Sequence, residues 1–287
     1  MSTAAEKAST ATRMPNIHPT ALVHQNALLS DDVEIGPYCI VERDVSIGAG
    51  TVLMAHAVVR RYTRLGQANR VHPFAVLGGE PQDLKFDPAT VSHLVIGDGN
   101  TFREGVTISR ATGAGSSTVV GDGTYFMHGS HAGHNAVVGD GCILVNGAAL
   151  AGHTVLGRRS ILSANVGVHQ FCWVGEGVMT QGNSSIAMHV PPFTLLANVN
   201  RVVSLNLVGL RRWPGLTEED RRQVAEAFAI IYRRGLACRE ALEQMDAHAE
   251  WGVAARSFRD FVRKALEAPA PYDRGLAPLR RHSRDQE

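Results

Sequence analysis

Aliphatic side chains return at every sixth position over two long stretches of the chain. The first runs through Ile17, Val23, Leu29, Ile35, Val41, Ile47, Leu53, Val59, Leu65, Val71 and Leu77. With 44% of residues hydrophobic, eleven consecutive hits would arise by chance about once in 10^4 starts. The second runs through Val120, Phe126, Ala132, Val138, Leu144, Leu150, Leu156, Leu162, Val168, Val174, Thr180 and Ile186. Four places after most of them sits a smaller residue, as at Ala21, Ala27, Val33, Cys39, Ala136, Cys142, Ala148 and Thr154. A six-residue repeat of this kind predicts a parallel β-helix.

Six residues make one short flat side and a corner, with one large inward side chain per side. Three sides close the smallest polygon, so a coil takes eighteen residues and successive coils stack about 4.8 Å apart. Glycines after the aliphatic position (Gly36, Gly48, Gly66, Gly97, Gly121, Gly139, Gly157, Gly175) read as tight backbone bends.

The repeat spans 16–190, after a leader over 1–15 that is expected to be disordered. Leu77 and Ile96 are nineteen residues apart, not a multiple of six, so Gly78–Leu94 must leave the coil as a loop. The Gly-rich stretch Thr112–Ser117 keeps the phase and reads as a loose coil edge. Beyond Pro191-Pro192 the period stops, and 191–268 reads as a helical domain. Thr217 followed by Glu218, Glu219 and Asp220 starts a helix with Val224, Phe228 and Ile231 on one face, and Gly235 ends it. Further helical patterns cover about Cys238–His248 and Ala254–Glu267, and 269–287 reads as a flexible Pro- and Arg-rich tail.

Composition narrows the function. A net charge of +1 over 287 residues gives no support for nucleic acid as a partner. No run of eighteen apolar residues and no apolar signal core is present, so a cytoplasmic protein without a membrane span is expected. Cys39, Cys142 and Cys172 occupy small inward slots and read as buried reduced thiols.

Stacking at eighteen residues brings candidate chemistry together. His134, Gly152 and Gln170 fall one above another, as do Asn135, His153 and Phe171, while His169 aligns with Ala151 and Gly133. His131, His134, His153 and His169 thus meet at one corner, and none fills an inward aliphatic slot. A neutral histidine is the usual general base near pH 7. Gly152 would allow a ligand to approach closely and could offer its N–H to an oxyanion. No Gly-x-Ser-x-Gly elbow and no activated cysteine is evident, which favours direct attack by an acceptor over a covalent enzyme intermediate. Spacing alone does not rank His131 against His134 as the base.

The segments PQDLKF (81–86), HAGHN (131–135), LAGH (150–153), GVHQFC (167–172) and VPPF (190–193) carry a resemblance. Over roughly 16–265 the chain resembles the acyl-ACP:UDP-N-acetylglucosamine O-acyltransferase family of lipid A synthesis. The resemblance implies a left-handed β-helix and a homotrimer with active sites between subunits. The donor would be a 3-hydroxyacyl chain on the phosphopantetheine of acyl carrier protein, the acceptor the 3-hydroxyl of the UDP-sugar, with no tightly bound cofactor and no metal. It implies His134 as general base and Gly152 as the oxyanion donor. Asp83, with Gln82 beside it, would hold the sugar, and Lys85 would lie on the donor side. His131, His153, His169 and Gln170 would line the acyl and sugar cleft, with Asn206 and Arg212 on the nucleotide and Gly182 setting acyl-chain length.

Four positions and one segment depart from that pattern. Asn135 stands where the family has an acidic residue, Ser109 where it has histidine, Val208 where it has an acidic residue, and Trp213 where it has arginine. The segment Asn198–Arg201 is also unlike the family's. A divergent acceptor, such as a 3-amino sugar nucleotide, would suit Asn135, since an amine needs less help from a strong base. Clustered histidines also admit a zinc hexapeptide enzyme, and a non-catalytic acyl-carrier-binding scaffold is the remaining alternative. Arg211, Arg212, Arg221, Arg222, Arg233 and Arg234 read either as a solvated face or as a docking patch for acidic acyl carrier protein.

Overall fold

A computed structural model describes residues 14–247 and 250–280, so most of the expected leader and the last seven residues lie outside the described residues. The chain winds into a left-handed parallel β-helix followed by a small helical part. Three sheets of eleven, nine and eight strands form its sides, and up to Ser185–Ile186 each strand from the fourth on pairs with the one three earlier in the chain. The pairs Asn16↔Glu34, Leu22↔Ile40 and Leu28↔Ser46 set a coil of eighteen residues.

Most strands are two residues long, the first facing out and the second in. The inward residues make the predicted column. On the first sheet it runs Ile35, Leu53, Val71, Phe102, Phe126, Leu144 and Leu162, all at most 2% exposed. Burying each such side chain stabilises the fold by about 1.5–3 kcal/mol. The outermost described coil is the exception, with Ile17 41% exposed.

The glycines after the aliphatic positions serve close stacking rather than bending. A Cβ at Gly157 would lie 2.4 Å from Glu176 N, and one at Gly48 would lie 2.6 Å from the Gly66 carbonyl carbon. The bend itself sits two residues later, where Tyr38, His56, Phe74, Asn135, His153 and Phe171 all hold positive φ. Left-handed backbone is costly for such residues, and it repeats because each coil locks the next.

Two excursions leave the helix, both at the corner between the second and third sheets. The first lies between the strands Val76–Gly79 and His93–Ile96, which extend into both ends of the predicted loop. The second, between the strands Thr107–Ser109 and Ser117–Val120, was not legible in the repeat. Phe102 pairs with Phe126, twenty-four residues on instead of eighteen. The insertion equals one period, so the hydrophobic phase passes through it unchanged.

The first sheet closes with an antiparallel pair, Thr194–Ala197 against Arg201–Leu205. Four helices follow: α1 (Leu207–Arg212), α2 (Glu218–Tyr232), α3 (Cys238–Asp246) and α4 (Val253–Leu266). The six-residue α1 has too few turns to show a periodic pattern in sequence. Thr217 and Asp220 form the predicted capping box of α2. Val224, Phe228, Met245, Trp251, Phe258 and Val262 form the core that α2, α3 and α4 share.

Residues 269–280, expected as a flexible tail, instead run back along the β-helix. His189 N–H donates to Gly275 O at 2.8 Å, Ala277 N–H to His189 O at 2.8 Å, and Val202 N–H to Pro278 O at 3.0 Å. Tyr272 stacks on Trp173, which supplies the apolar contact that composition alone did not suggest.

Candidate functional site

The corner between the second and third sheets gathers the histidines because three successive coils repeat the same turn. A cleft of about 520 Å³ there is lined by His131, His134, Gly152, His169, Gln170 and, from the first excursion, Gln82. His131 faces outward from its strand, Nδ1 2.8 Å from Thr107 Oγ1. His134 is 7% exposed and meets His153 edge to face at 5.2 Å, and His153 stacks on Phe171 at 5.0 Å. His169 is exposed, with Nδ1 3.2 Å from Gln170 O.

Gly152 lies directly against the imidazole of His134. Its N–H has no acceptor among the described residues. At equivalent corner positions the same outward N–H is taken by a carboxylate: Gln67 N–H donates to Asp98 at 2.7 Å and Asp98 N–H to Asp122 at 2.7 Å. The position therefore presents a donor suited to a developing negative charge.

The second excursion reaches the site through Asn135. Asn135 Oδ1 accepts from Thr112 N–H at 3.1 Å and Thr112 Oγ1 at 2.9 Å, and lies 3.0 Å from His134 Nδ1. Thr112 and Ser116 were missed because the excursion was hidden in phase. The first excursion is anchored by Arg110, a residue 1% exposed that the sequence reading also passed over. Its guanidinium donates to Thr90 O at 2.6 Å and Ser92 Oγ at 3.2 Å, and packs within 5.4 Å of the Tyr62 ring and 4.9 Å of Phe86. Burial pushes its pKa down, aided by the nearby Arg61 cation.

Burial depresses the pKa of both His131 and His153, and the neighbouring His134 pushes each in the same direction. The Asp83 carboxylate, on the first excursion, opposes this at His153. Burial thus favours the neutral form of His131 and His153. Among the described residues, no three His, Cys, Asp or Glu side chains converge as ligands for a metal ion.

Other candidates lie elsewhere within the single chain. Lys85 is exposed at the excursion tip, and Gly182 lies at the corner between the first and second sheets. Asn206 is committed to structure: its Nδ2 donates to Gly177 O at 3.0 Å and its Oδ1 accepts from Gly209 N–H at 2.9 Å, capping α1. Arg212 is exposed in the last turn of α1, and Val208 is 55% exposed. Trp213 packs on Phe193, with the guanidinium groups of Arg158 and Arg159 at 5.4 and 5.5 Å from its ring.

Residues 189–275 match the family profile described as UDP-N-acetylglucosamine O-acyltransferase, domain 2. A relative from Synechocystis named acyl-[acyl-carrier-protein]–UDP-N-acetylglucosamine O-acyltransferase is 41% identical over 266 residues, covering 92% of this chain and 94% of its own. The UDP-N-acetylglucosamine acyltransferase structure from Bacteroides fragilis is 37% identical and superposes with a TM-score of 0.82, covering 91% of this chain and 99% of its own. That from Acinetobacter baumannii is 32% identical with a TM-score of 0.84, over 92% and 99%.

Proposed function

The chain belongs to the acyl-ACP–UDP-N-acetylglucosamine O-acyltransferase family, and we propose that it transfers a 3-hydroxyacyl chain from acyl carrier protein to the sugar 3-hydroxyl of UDP-N-acetylglucosamine. The relatives' names supply both substrates. The observation that carries the mechanism is the pairing of His134 with Gly152 N–H in one cleft.

His134 Nδ1 faces Asn135 Oδ1, so the Nε2 edge is left as the base. Nε2 takes the proton of the sugar hydroxyl as its oxygen attacks the thioester carbonyl. The resulting oxyanion is held by Gly152 N–H. Collapse breaks the carbon–sulfur bond, and the imidazolium returns its proton to the departing pantetheine sulfur. Attack is direct, without an acyl-enzyme intermediate.

Around this pair, His131, His153, His169 and Gln170 position the sugar and acyl groups, and Gln82, Asp83 and Lys85 approach from the first excursion. A homotrimer completes the cleft. Neighbouring subunits bring in Arg212 and Gly182, which sit away from the cleft of their own chain, and Asn206 caps the helix that carries Arg212. Leu22, 67% exposed on the second sheet, and Val137, 39% exposed on the third, support faces covered by another subunit. Acyl carrier protein docks on the arginines of α1 and α2. No helix among the described residues is long and apolar enough to cross a membrane. Acyl carrier protein as donor supports a cytoplasmic reaction.

The test is transfer from 3-hydroxymyristoyl-ACP to UDP-N-acetylglucosamine by wild type and His134→Ala. Product from wild type that disappears in the variant is expected. Transfer surviving in the variant would remove His134 as base. A second reading, transfer to a 3-amino sugar nucleotide, is favoured by the uncharged Asn135 beside the base. Competition between the two acceptors separates the readings.

A further inference from the structure

Asn135 holds its amide between two sets of partners. Its Oδ1 accepts from both the N–H and the hydroxyl of Thr112, and its Nδ2 donates to Ser116 Oγ at 3.4 Å. The Ser116 hydroxyl proton is already given to Gly113 O at 2.6 Å, so its oxygen meets Asn135 as an acceptor. The Asn135 backbone is fixed as well, by a positive φ of 60° and an N–H bond to Thr118 Oγ1 at 2.8 Å. Turning the amide over would set Nδ2 against the Thr112 N–H, two donors face to face. Oδ1 is therefore the atom that faces His134.

That orientation decides where the imidazole keeps its proton. An oxygen accepting at 3.0 Å requires a hydrogen on His134 Nδ1, and a neutral imidazole has only one. Nε2 then holds the lone pair. A carboxylate at 135 would need no such arrangement, because either of its oxygens accepts. An amide has one accepting and one donating end, and a half-turn would leave the base in the wrong tautomer.

We propose that the second excursion is a tautomer clamp in which Thr112 and Ser116 act as positioning residues, letting the neutral Asn135 orient His134 without a charge. The inference rests on the acyl-transfer reading for its kinetic consequence, but its first readout does not depend on activity. That readout is the ¹⁵N NMR signature of the His134 ring in the full chain, identified by its loss in His134→Ala.

Wild type should show the proton on Nδ1. Thr112→Val combined with Ser116→Ala should shift population toward the Nε2–H form and lower kcat by about tenfold with KM little changed, the size expected for losing neutral hydrogen bonds. Thr112→Ser should restore both. In an Asn135→Asp background the same double substitution should cost clearly less, since the carboxylate has no wrong face. An unchanged tautomer in the double variant would mean the Thr112 N–H alone fixes the amide and would overturn the role proposed for the two side chains, as would an equal kcat loss in both backgrounds. If wild type transfers no acyl group while the spectra shift as stated, the acyl-transfer reading fails and the clamp stands.

Discussion

A Cβ on Gly152 would lie 2.5 Å from Cε1 and 2.6 Å from Nε2 of the His134 imidazole. No real Cβ contact is that short, and the imidazole is held on its other edge by Asn135, so it cannot simply retreat. Gly152→Ala is therefore expected to displace the ring from its place beside the residue 152 N–H. The expected outcome is a fall in kcat of about 10²-fold or more, in keeping with losing a base's alignment, while residue 152 keeps its N–H. Circular dichroism and the unfolding midpoint should move little, because the corner is open toward the cleft. A variant with wild-type kcat would mean the ring sits elsewhere during turnover.

Arg110 should matter to substrate binding without touching the chemistry. Replacing it by methionine keeps the stem between Tyr62 and Phe86 but leaves the Thr90 carbonyl without its donor. Pro88 O keeps the bond from Arg61 at 2.6 Å. The cost is about 1–3 kcal/mol, concentrated in the excursion that carries Gln82, Asp83 and Lys85. Faster proteolysis within 80–92 and a raised KM with kcat nearly kept are expected. Equal losses in kcat and kcat/KM would assign Arg110 to the transition state instead.

These two cases mark what sequence can and cannot carry. The inward column from Ile35 to Ile186 was legible because one buried position per side imposes a strict period. The convergence of His134, Gly152 and Gln170 followed from the coil length alone. Thr112, by contrast, lies on an insertion of one whole period, so no break in pattern announces it. Arg110 looks like a surface charge until the loop folds over it. Tyr272 sits in a Pro-rich stretch whose contacts, Trp173 and Phe171, belong to coils a hundred residues earlier.

Stability should fall on mild acidification. His131, His153 and His189 all have pKa values depressed by burial, so the unfolded chain binds protons at the ordinary imidazole value, about 6.5, before the folded one does. The stabilising difference is present in full above that value and is lost progressively as pH drops below it and through the depressed folded values. His189 gives the clearest cause: its Nδ1 accepts from Trp173 N–H at 3.0 Å, and protonation removes that acceptor. The denaturant midpoint should be lower at pH 5.5 than at pH 7.5, and His189→Gln should flatten the dependence. Carboxylates ordinarily titrate below this window, and Glu104 is held lower still, at about 2. Identical midpoints at the two pH values would show that the buried histidines titrate freely.

The ring ladder that begins at His134 does not end at the third coil. His153 lies on Phe171, Phe171 meets Tyr272 at 5.2 Å, and Tyr272 stacks on Trp173 at 5.5 Å, itself covered from α4 by Lys264 Nζ at 4.2 Å. Tyr272 also gives its carbonyl to His189 Nε2 at 2.6 Å. Tyr272→Ala removes a half-buried ring at the point where the returning segment meets the site, and should destabilise by about 2 kcal/mol. Because Phe171 loses one face, His153 loses part of its support, and a modest kcat loss should accompany the lower midpoint. Tyr272→Phe keeps the ring and the carbonyl and should restore both. If Tyr272→Ala lowers the midpoint but leaves kcat at the wild-type value, the ladder ends at His153 as far as catalysis is concerned, and the returning segment serves stability alone.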